Sequence, residues 1–139
     1  RQGRPGNIFN VMGKGGDGKA SPLSPMYGCS KAAVVQLTRS LAEEAKSLSN
    51  GVGVHLIQPG MVTTDLLIRG NEENRRALWI FNVLADTPQE VADFLTAQIL
   101  AVPLGSGPMV YIKYLTPATV IGRFLCFIRR KNRHFDLSL

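Results

Sequence analysis

The stretch YGCSKAAVVQLTRSLAEEAKSL, residues 27–48, decides the fold. Ala33, Leu37, Leu41 and Ala45 recur at four-residue spacing, Val34 and Leu48 widen the stripe, and no Gly or Pro follows Gly28 until Gly51. This pattern predicts one long amphipathic helix from about Ser24 to Leu48, stopped by Ser49, Asn50 and Gly51. Upstream, NIFNVM at 7–12 is a short apolar run cut off by glycines and predicts a buried strand. Downstream, VGVHLIQPG at 52–60 predicts a second strand closed by Pro59 and Gly60, and NRRALWIFNVLA at 74–85 predicts a helix. Thr87, Pro88 and Glu90 form a capping box that starts a further helix to about Ala101, because hydroxyl and carboxylate satisfy otherwise unpaired N–H groups. MVYIKYL at 109–115 has the β-branched and aromatic content of a third strand. After Pro117 a last helix carries Val120, Ile121, Phe124, Leu125 and Ile128 on one face. Strands alternating with helices imply parallel strands joined by helical crossovers, an α/β fold.

The 139 residues suffice for a real hydrophobic core, and with 45% apolar and 19% charged residues the chain reads as globular rather than disordered. It has no uncharged apolar run of the length a membrane span needs. Cys29 and Cys126 stand far apart without metal-ligand spacing and read as reduced thiols, so no structural metal is expected. The net charge of +6 gathers near the end, in Arg123, Arg129, Arg130, Lys131 and Arg133. A terminal basic cluster after an apolar helix suits an anionic lipid surface or acidic partner; a nucleic-acid face would interleave basic and aromatic residues along the domain. Two parts are expected: residues 1–116 as the α/β portion and 117–139 as an amphipathic helix with a basic tail. The first residue is Arg1 rather than Met and no targeting pattern is visible, so the N-terminus is expected to be incomplete.

Two cofactor signatures lie close together. Gly13, Gly15 and Gly18 fit the letter of G-x-G-x-x-G, but that motif works only where the glycines open a helix whose N–H groups face a pyrophosphate. Here KASPLSP follows, and its two prolines keep the chain extended, so the loop is read as a connection. Tyr27 and Lys31 form a Tyr-x-x-x-Lys at the opening of the long helix, where both side chains face the carboxyl ends of the parallel strands, the usual ligand crevice of such sheets. A phenol ionises near pH 10, and an ammonium close by lowers that value toward the working range. Tyr27 is thereby a candidate to give a proton to a carbonyl oxygen while hydride arrives at carbon.

YGCSKAAVVQLTRSLAEEA, followed by a strand and PGMVTTDLL, resembles the short-chain dehydrogenase/reductase family, and the resemblance runs from Asn7 to about Tyr114. It implies a Rossmann-like doubly wound parallel sheet of which these residues form the C-terminal half, three strands alternating with helices. It also implies an NADPH- or NADH-dependent oxidoreductase in which Tyr27 is the catalytic acid/base and Lys31 both lowers its pKa and bonds the nicotinamide ribose. Pro59, Gly60, Val62 and Thr64 match the family's Pro-Gly-x-Val-x-Thr loop over the nicotinamide, whose threonine reaches the carboxamide or the phosphates. More narrowly, PGMVTTDLL, FNVLADTPQEVADFL and RKNRHF resemble the members that reduce the 7-formyl group of chlorophyll b to 7-hydroxymethyl during chlorophyll breakdown at the chloroplast thylakoid. That resemblance implies a tetrapyrrole pigment substrate, peripheral thylakoid association, and homo- or hetero-oligomers formed through the Tyr27-bearing helix, with no nucleic acid and no metal.

The chain departs from the family in two places. The family's glycine-rich cofactor loop lies far upstream of the tyrosine, whereas only 26 residues precede Tyr27, so the first strand is expected to be an unpaired edge. The serine that polarises the substrate carbonyl, about a dozen residues before the tyrosine, is replaced by a loop with Gly13, Gly15 and Gly16. Ser21 and Ser24 are the nearest hydroxyls and read as turn and cap residues, while a carboxylate at Asp17 would oppose an oxyanion, so that position stays unassigned. His55 reads as a structural strand histidine and His134 as solvated; Trp79, Ile80, Phe81, Leu66 and Leu67 are divided between a lid over the substrate and the core. Two alternatives stand beside the pigment reductase: a general carbonyl reductase of the same family, and a non-catalytic module using the long helix as a dimer face and the tail as a membrane tether.

Overall fold

The computed structural model describes residues 4–22, 24–48, 51–105 and 107–137. In chain order the elements are β1 (Gly6–Val11), α1 (Pro25–Leu48), β2 (Val52–Gln58), α2 (Asp65–Ile68), α3 (Arg75–Leu84), α4 (Pro88–Leu100), β3 (Tyr111–Lys113), α5 (Pro117–Leu125) and α6 (Phe127–Arg130). Two compact units result: one takes the chain up to Pro59 together with Leu95–Lys113, the other Gly60–Phe94 together with Tyr114 onward.

The first unit holds a parallel sheet in the order β1-β2-β3, part of a Rossmann-like fold as the strand–helix alternation implies. Gly6 pairs with Val52 and Val11 with Ile57, while Leu56 to Gln58 pair with Tyr111 to Lys113. β1 and β2 therefore leave the sheet level with each other at the carboxyl edge, where Met12 N–H donates to Ile57 O at 2.8 Å. Central β2 is buried at five successive residues, Gly53 to Ile57. β1 pairs, among the described residues, only with β2, and Ile8 and Val11 are about half exposed, so the expected buried strand is a half-covered edge. β3 is three residues long instead of the seven read from MVYIKYL.

The buried stripe of α1 differs from the expected one: Gly28, Val35, Thr38, Ala42 and Ala45 face inward, whereas Ala33 and Leu37 are exposed and Leu41 is half-buried. Small residues win this face because they let the helix backbone approach the strands. Thr38 is fully buried without penalty, since its Oγ1 donates to Val34 O at 2.7 Å and accepts from Asn10 Nδ2 of β1 at 2.9 Å. Met12, Val35 and Leu56 form one core cluster and Ala42, Ala45 and Val54 another; each fully buried Val or Leu stabilises by about 1.5–3 kcal/mol. Ser49 and Asn50 of the expected stop lie outside the described residues; Gly51 takes φ +75°. His55 is buried as read: its Nδ1 accepts from Val110 N–H at 3.1 Å, its ring lies 4.9 Å from Phe9, and burial holds its pKa below the usual imidazole value.

In the second unit, Leu78, Phe81 and Ala85 form a core with Leu67, Phe135 and Leu137 packed against it. The capping box at α4 is present, with Thr87 N–H and Oγ1 donating to Glu90 Oε2 at 2.9 and 2.8 Å. The last helix breaks at Cys126 into α5 and α6. The basic tail is not the solvated cluster that its composition suggests. Arg123, Arg130 and Arg133 turn inward onto buried Asp86, Arg133 also reaches Glu90, and only Arg129 and Lys131 of the five cations stay fully outside. Buried Asn82 fastens the same segment, donating to Lys131 O and Phe135 O at 2.7 Å and accepting from His134 and Phe135 N–H at 2.8 Å. His134 is likewise half-buried, its Nε2 3.0 Å from Ala85 O, which corrects its reading as solvated.

Candidate active site

Tyr27 is the third residue of α1, and Lys31 follows one turn later. Pro25 opens the helix, where its missing N–H costs nothing, and Ser24 O accepts the first helical N–H, from Gly28, at 3.0 Å. The phenol lies directly over Gly13, just past the end of β1. A Cβ at position 13 would stand 2.4 Å from Tyr27 Oη and 3.1 Å from both its Cζ and Lys31 Cγ, so the missing side chain is what admits the ring. Lys31 Nζ donates to Val11 O, the last carbonyl of β1, at 3.1 Å and sits 5.7 Å from the Tyr27 ring centroid. One backbone carbonyl thus fixes the ammonium beside the phenol at the carboxyl edge of the sheet. Tyr27 as a whole remains 41% exposed. The pair brings a phenol and a fixed positive charge to one point.

The glycine loop closes into two turns, Gly16 N–H to Gly13 O and Gly18 N–H to Gly15 O at 3.0 Å, and opens no helix. Gly15 (φ +86°) presses on the first turn of α1, where a Cβ would come within 2.6 Å of Gly28 Cα. Ser21 Oγ is buried beside these two glycines without a hydrogen-bond partner among the described residues, and Asp17 pairs with Lys19 at 3.3 Å. Among the described residues no loop hydroxyl bonds Tyr27 or Lys31, so the carbonyl-polarising position stays unfilled. Sequence reasoning placed Gly13 in a dinucleotide motif and in the loop standing where the serine is expected, but missed its part in seating the Tyr27 ring. It also missed Tyr111, whose hydroxyl meets Gln58 Oε1 at 2.6 Å and Met12 Sδ at 2.7 Å; burial, with the negative charge of Asp17, raises its pKa. The available signal for Gly13 is its position immediately after a strand and before Tyr-x-x-x-Lys.

Pro59 closes the first unit, while Gly60, Val62 and Thr64 belong to the second. Gly60 takes φ +77°, and a Cβ there would stand 2.9 Å from Leu115 Cβ, so both conformation and space require glycine. Val62 bridges Asp86 in parallel, and Thr63 N–H donates to Asp86 O at 3.0 Å, which fixes the loop. Thr64 is exposed ahead of α2, its Oγ1 3.4 Å from Val62 O and making no cap bond. Asp86 itself feels burial first, which pushes its pKa up, but hydrogen bonds from Arg130, Tyr114 and Arg133 and the charge of Arg123 outweigh this and hold it below the usual carboxylate value. Of the apolar residues beyond the loop, Phe81 and Leu67 belong to the core, Leu66 is 82% exposed, and Trp79 and Ile80 line an open cavity.

Residues 1–75 match the model of a family described as short chain dehydrogenase. Over 138 residues, 96% of the chain, it is 41% identical to chlorophyll(ide) b reductase NOL, chloroplastic, of Oryza sativa subsp. japonica, and covers 40% of that protein. It is 35% identical over 136 residues to the probable chlorophyll(ide) b reductase NYC1, chloroplastic, of Arabidopsis thaliana, covering 98% of the chain and 26% of the relative. A bacterial relative, the 3-oxoacyl-acyl-carrier-protein reductase FabG of Vibrio cholerae, is 38% identical over 78 residues, 55% of the chain and 29% of that enzyme. No solved structure matches. The chain spans 40% or less of the length of these relatives. With more than half of its residues matched by the family model, and with a Tyr-x-x-x-Lys pair gathered at the carboxyl edge of a parallel sheet, the chain belongs to the short chain dehydrogenase family.

Proposed function

We propose that these residues form the proton-donating part of an NADPH- or NADH-dependent reductase that converts the 7-formyl group of chlorophyll b or chlorophyllide b to 7-hydroxymethyl. The carrying observation is the seat of Tyr27 Oη over Gly13, with Lys31 Nζ pinned to Val11 O beside it. The donor set suits the nicotinamide end of the cofactor: Lys31 Nζ, held at Val11 O beside the Tyr27 ring, is a cationic donor of the kind a ribose hydroxyl accepts from. When bound, a nicotinamide would supply hydride to the formyl carbon. Tyr27 Oη gives its proton to the formyl oxygen, which becomes the hydroxyl of the product, and Lys31 keeps positive charge beside the phenol that loses it. Lys31 for the ribose, and Pro59, Gly60, Val62 and Thr64 for the nicotinamide side, are assigned on the family resemblance; Thr64 Oγ1 makes no cap bond and donates only a long 3.4 Å bond to Val62 O, which leaves its lone pairs able to accept such a contact.

The names of the plant relatives support a chloroplast location. Ile121, Leu125 and Ile128, one face of α5–α6, are 62%, 80% and 77% exposed beside Arg129 and Lys131, which supports association with an anionic thylakoid surface. Among the described residues no helix is long and apolar enough to cross a membrane. Exposed Leu37 and Leu48 on the outer face of α1 support oligomers formed through that helix. The test is reduction of chlorophyllide b, chlorophyll b and small ketones by the intact enzyme with NADPH, the 7-hydroxymethyl product being followed by its absorption spectrum. Turnover of ketones alone would replace the pigment assignment with a general carbonyl reductase. The loop without a hydroxyl bonded to Tyr27 favours a second reading, a non-catalytic module; an intact protein that neither binds NADPH nor turns over any carbonyl would establish it.

A further inference from the structure

Tyr111 opens β3, and nothing in the proton-transfer site uses its hydroxyl. Burial and the negative charge of Asp17 hold its pKa above the ordinary phenol value, so it acts as a neutral hydrogen-bonding group. The hydroxyl lies 2.6 Å from Gln58 Oε1 and 2.7 Å from Met12 Sδ. Tyr111 pairs with Leu56 in the sheet, and Gln58 stands two residues further along β2 on the same face, so the amide is placed to take the single phenol proton. The hydroxyl oxygen then bears on the thioether of Met12, a flexible side chain that settles where its neighbours hold it.

Met12 joins this contact to the seat of Tyr27. It is buried, its N–H donates to Ile57 O at 2.8 Å, and Gly13 follows it directly. Its side chain fills the floor of the turn that Gly16 N–H closes onto Gly13 O: a Cβ at Gly16 would come within 2.8 Å of Met12 Cγ and 3.1 Å of Gly13 O. Gly13 is in turn the residue on which the Tyr27 phenol rests, a Cβ there standing 2.4 Å from Oη. Close contacts therefore run from Tyr111 to Met12, from Met12 to Gly16 and Gly13, and from Gly13 to Tyr27, all within the first unit. Gly13, Gly15 and Gly16 bring no side chains to stiffen the loop, so its place depends on what is packed beneath it, and close packing passes a displacement on. We propose that Tyr111 is a positioning residue: braced on Gln58, its hydroxyl holds Met12 under the Gly13–Gly16 turn and so sets the place of Tyr27 Oη for proton transfer. Its effect on rate rests on the reductase reading, whereas its hold on the Tyr27 ring does not.

Tyr111→Phe removes the hydroxyl and keeps the ring against the Met12, Val35 and Leu56 core. In the intact enzyme it is expected to lower kcat for chlorophyllide b reduction about tenfold, with KM for NADPH within about twofold of the unaltered value. On a Tyr27→Phe background the same change should cost less than about twofold, because the hydroxyl that Tyr111 positions is already gone; a merely structural Tyr111 would lower both backgrounds alike. A second readout needs no turnover. The 139-residue chain has three tyrosines, Tyr27, Tyr111 and Tyr114, so carbon-13 labelling at Cζ gives three resonances, assigned by substitution. Tyr111→Phe is expected to move the Tyr27 resonance by more than its line width and to leave that of Tyr114, in the second unit, where it was. An unmoved Tyr27 resonance overturns the proposal, and so do equal losses of rate on the two backgrounds. If circular dichroism shows that Tyr111→Phe does not fold, Gln58→Leu, which takes the brace from the hydroxyl, is read in the same two ways, with the same outcomes expected and excluded. Should the intact enzyme reduce no pigment, the reductase reading fails and the Tyr27 resonance alone decides the positioning role.

Discussion

Alanine at Gly13 separates a catalytic role of the Tyr27 seat from a merely structural one. The new Cβ would lie 2.4 Å from Tyr27 Oη, against the 3.4 Å at which ordinary contact begins, a shortfall of about 1 Å. The backbone of Gly13 lies outside the left-handed region, so alanine brings no conformational strain. Tyr27 is 41% exposed, so its ring can swing outward, and the fold loses only about 0.5–1.5 kcal/mol, the cost of a displaced rotamer. Catalysis has no such freedom: a 1 Å misplacement of a reacting group costs about 10²-fold in rate, near 2.7 kcal/mol of barrier. The assay is the initial rate of chlorophyllide b reduction by the intact enzyme, with the thermal midpoint measured beside it. Gly18→Ala serves as the control, since it meets open space at φ +80° and should cost about 1 kcal/mol of stability while sparing the rate. A Gly13→Ala enzyme within threefold of the unaltered rate would refute the reasoning.

Asp86→Asn is expected to remove about 3 kcal/mol, read by urea unfolding, because it leaves Arg123, Arg130 and Arg133 without their buried counter-charge. The Asp86 carboxyl is held below its ordinary 3.8 in the fold, so its contribution is whole above that pH and is lost as pH falls through the depressed value; Asp86→Asn should flatten stability below about pH 4. Burial depresses the His55 pKa below 6.5, so the folded chain resists a proton that the unfolded chain takes up. Stability should therefore decline as pH falls below 6.5, and His55→Gln should reduce that slope, as followed by thermal melts across pH. Thr87→Ala, which breaks the α4 capping box, should cost about 1 kcal/mol, and because it removes one of the hydrogen bonds that hold the Glu90 carboxyl below its ordinary value, less stability should be lost as pH falls through the acid range.

Local signals were the legible ones. The Thr87–Glu90 box involves residues three apart, and the alternation of strand and helix follows from hydrophobic period and from glycine and proline breaks, so both can be read along the chain. Which face of α1 turns inward could not be, because small Gly28, Ala42 and Ala45 outcompete Leu37 only once a strand lies against them, and Thr38 is buried only because Asn10 meets its hydroxyl. The basic tail misled for a similar reason. Its partner, Asp86, lies far back along the chain, and composition does not reveal a pairing across that separation. Within the candidate site, the order of Tyr27 and Lys31 was visible, whereas the need for glycine at residue 13 emerges only when the phenol is placed above it.

The central claim is that the Tyr27 hydroxyl delivers the proton, and the most direct measurement is the single-turnover rate of formyl reduction by Tyr27→Phe in the intact enzyme, at saturating NADPH and chlorophyllide b. Phenylalanine keeps the ring over Gly13 and beside Lys31 and removes only the oxygen. A fall of about 10²–10⁴-fold with cofactor affinity retained is the expected result; an unchanged rate would contradict the assignment.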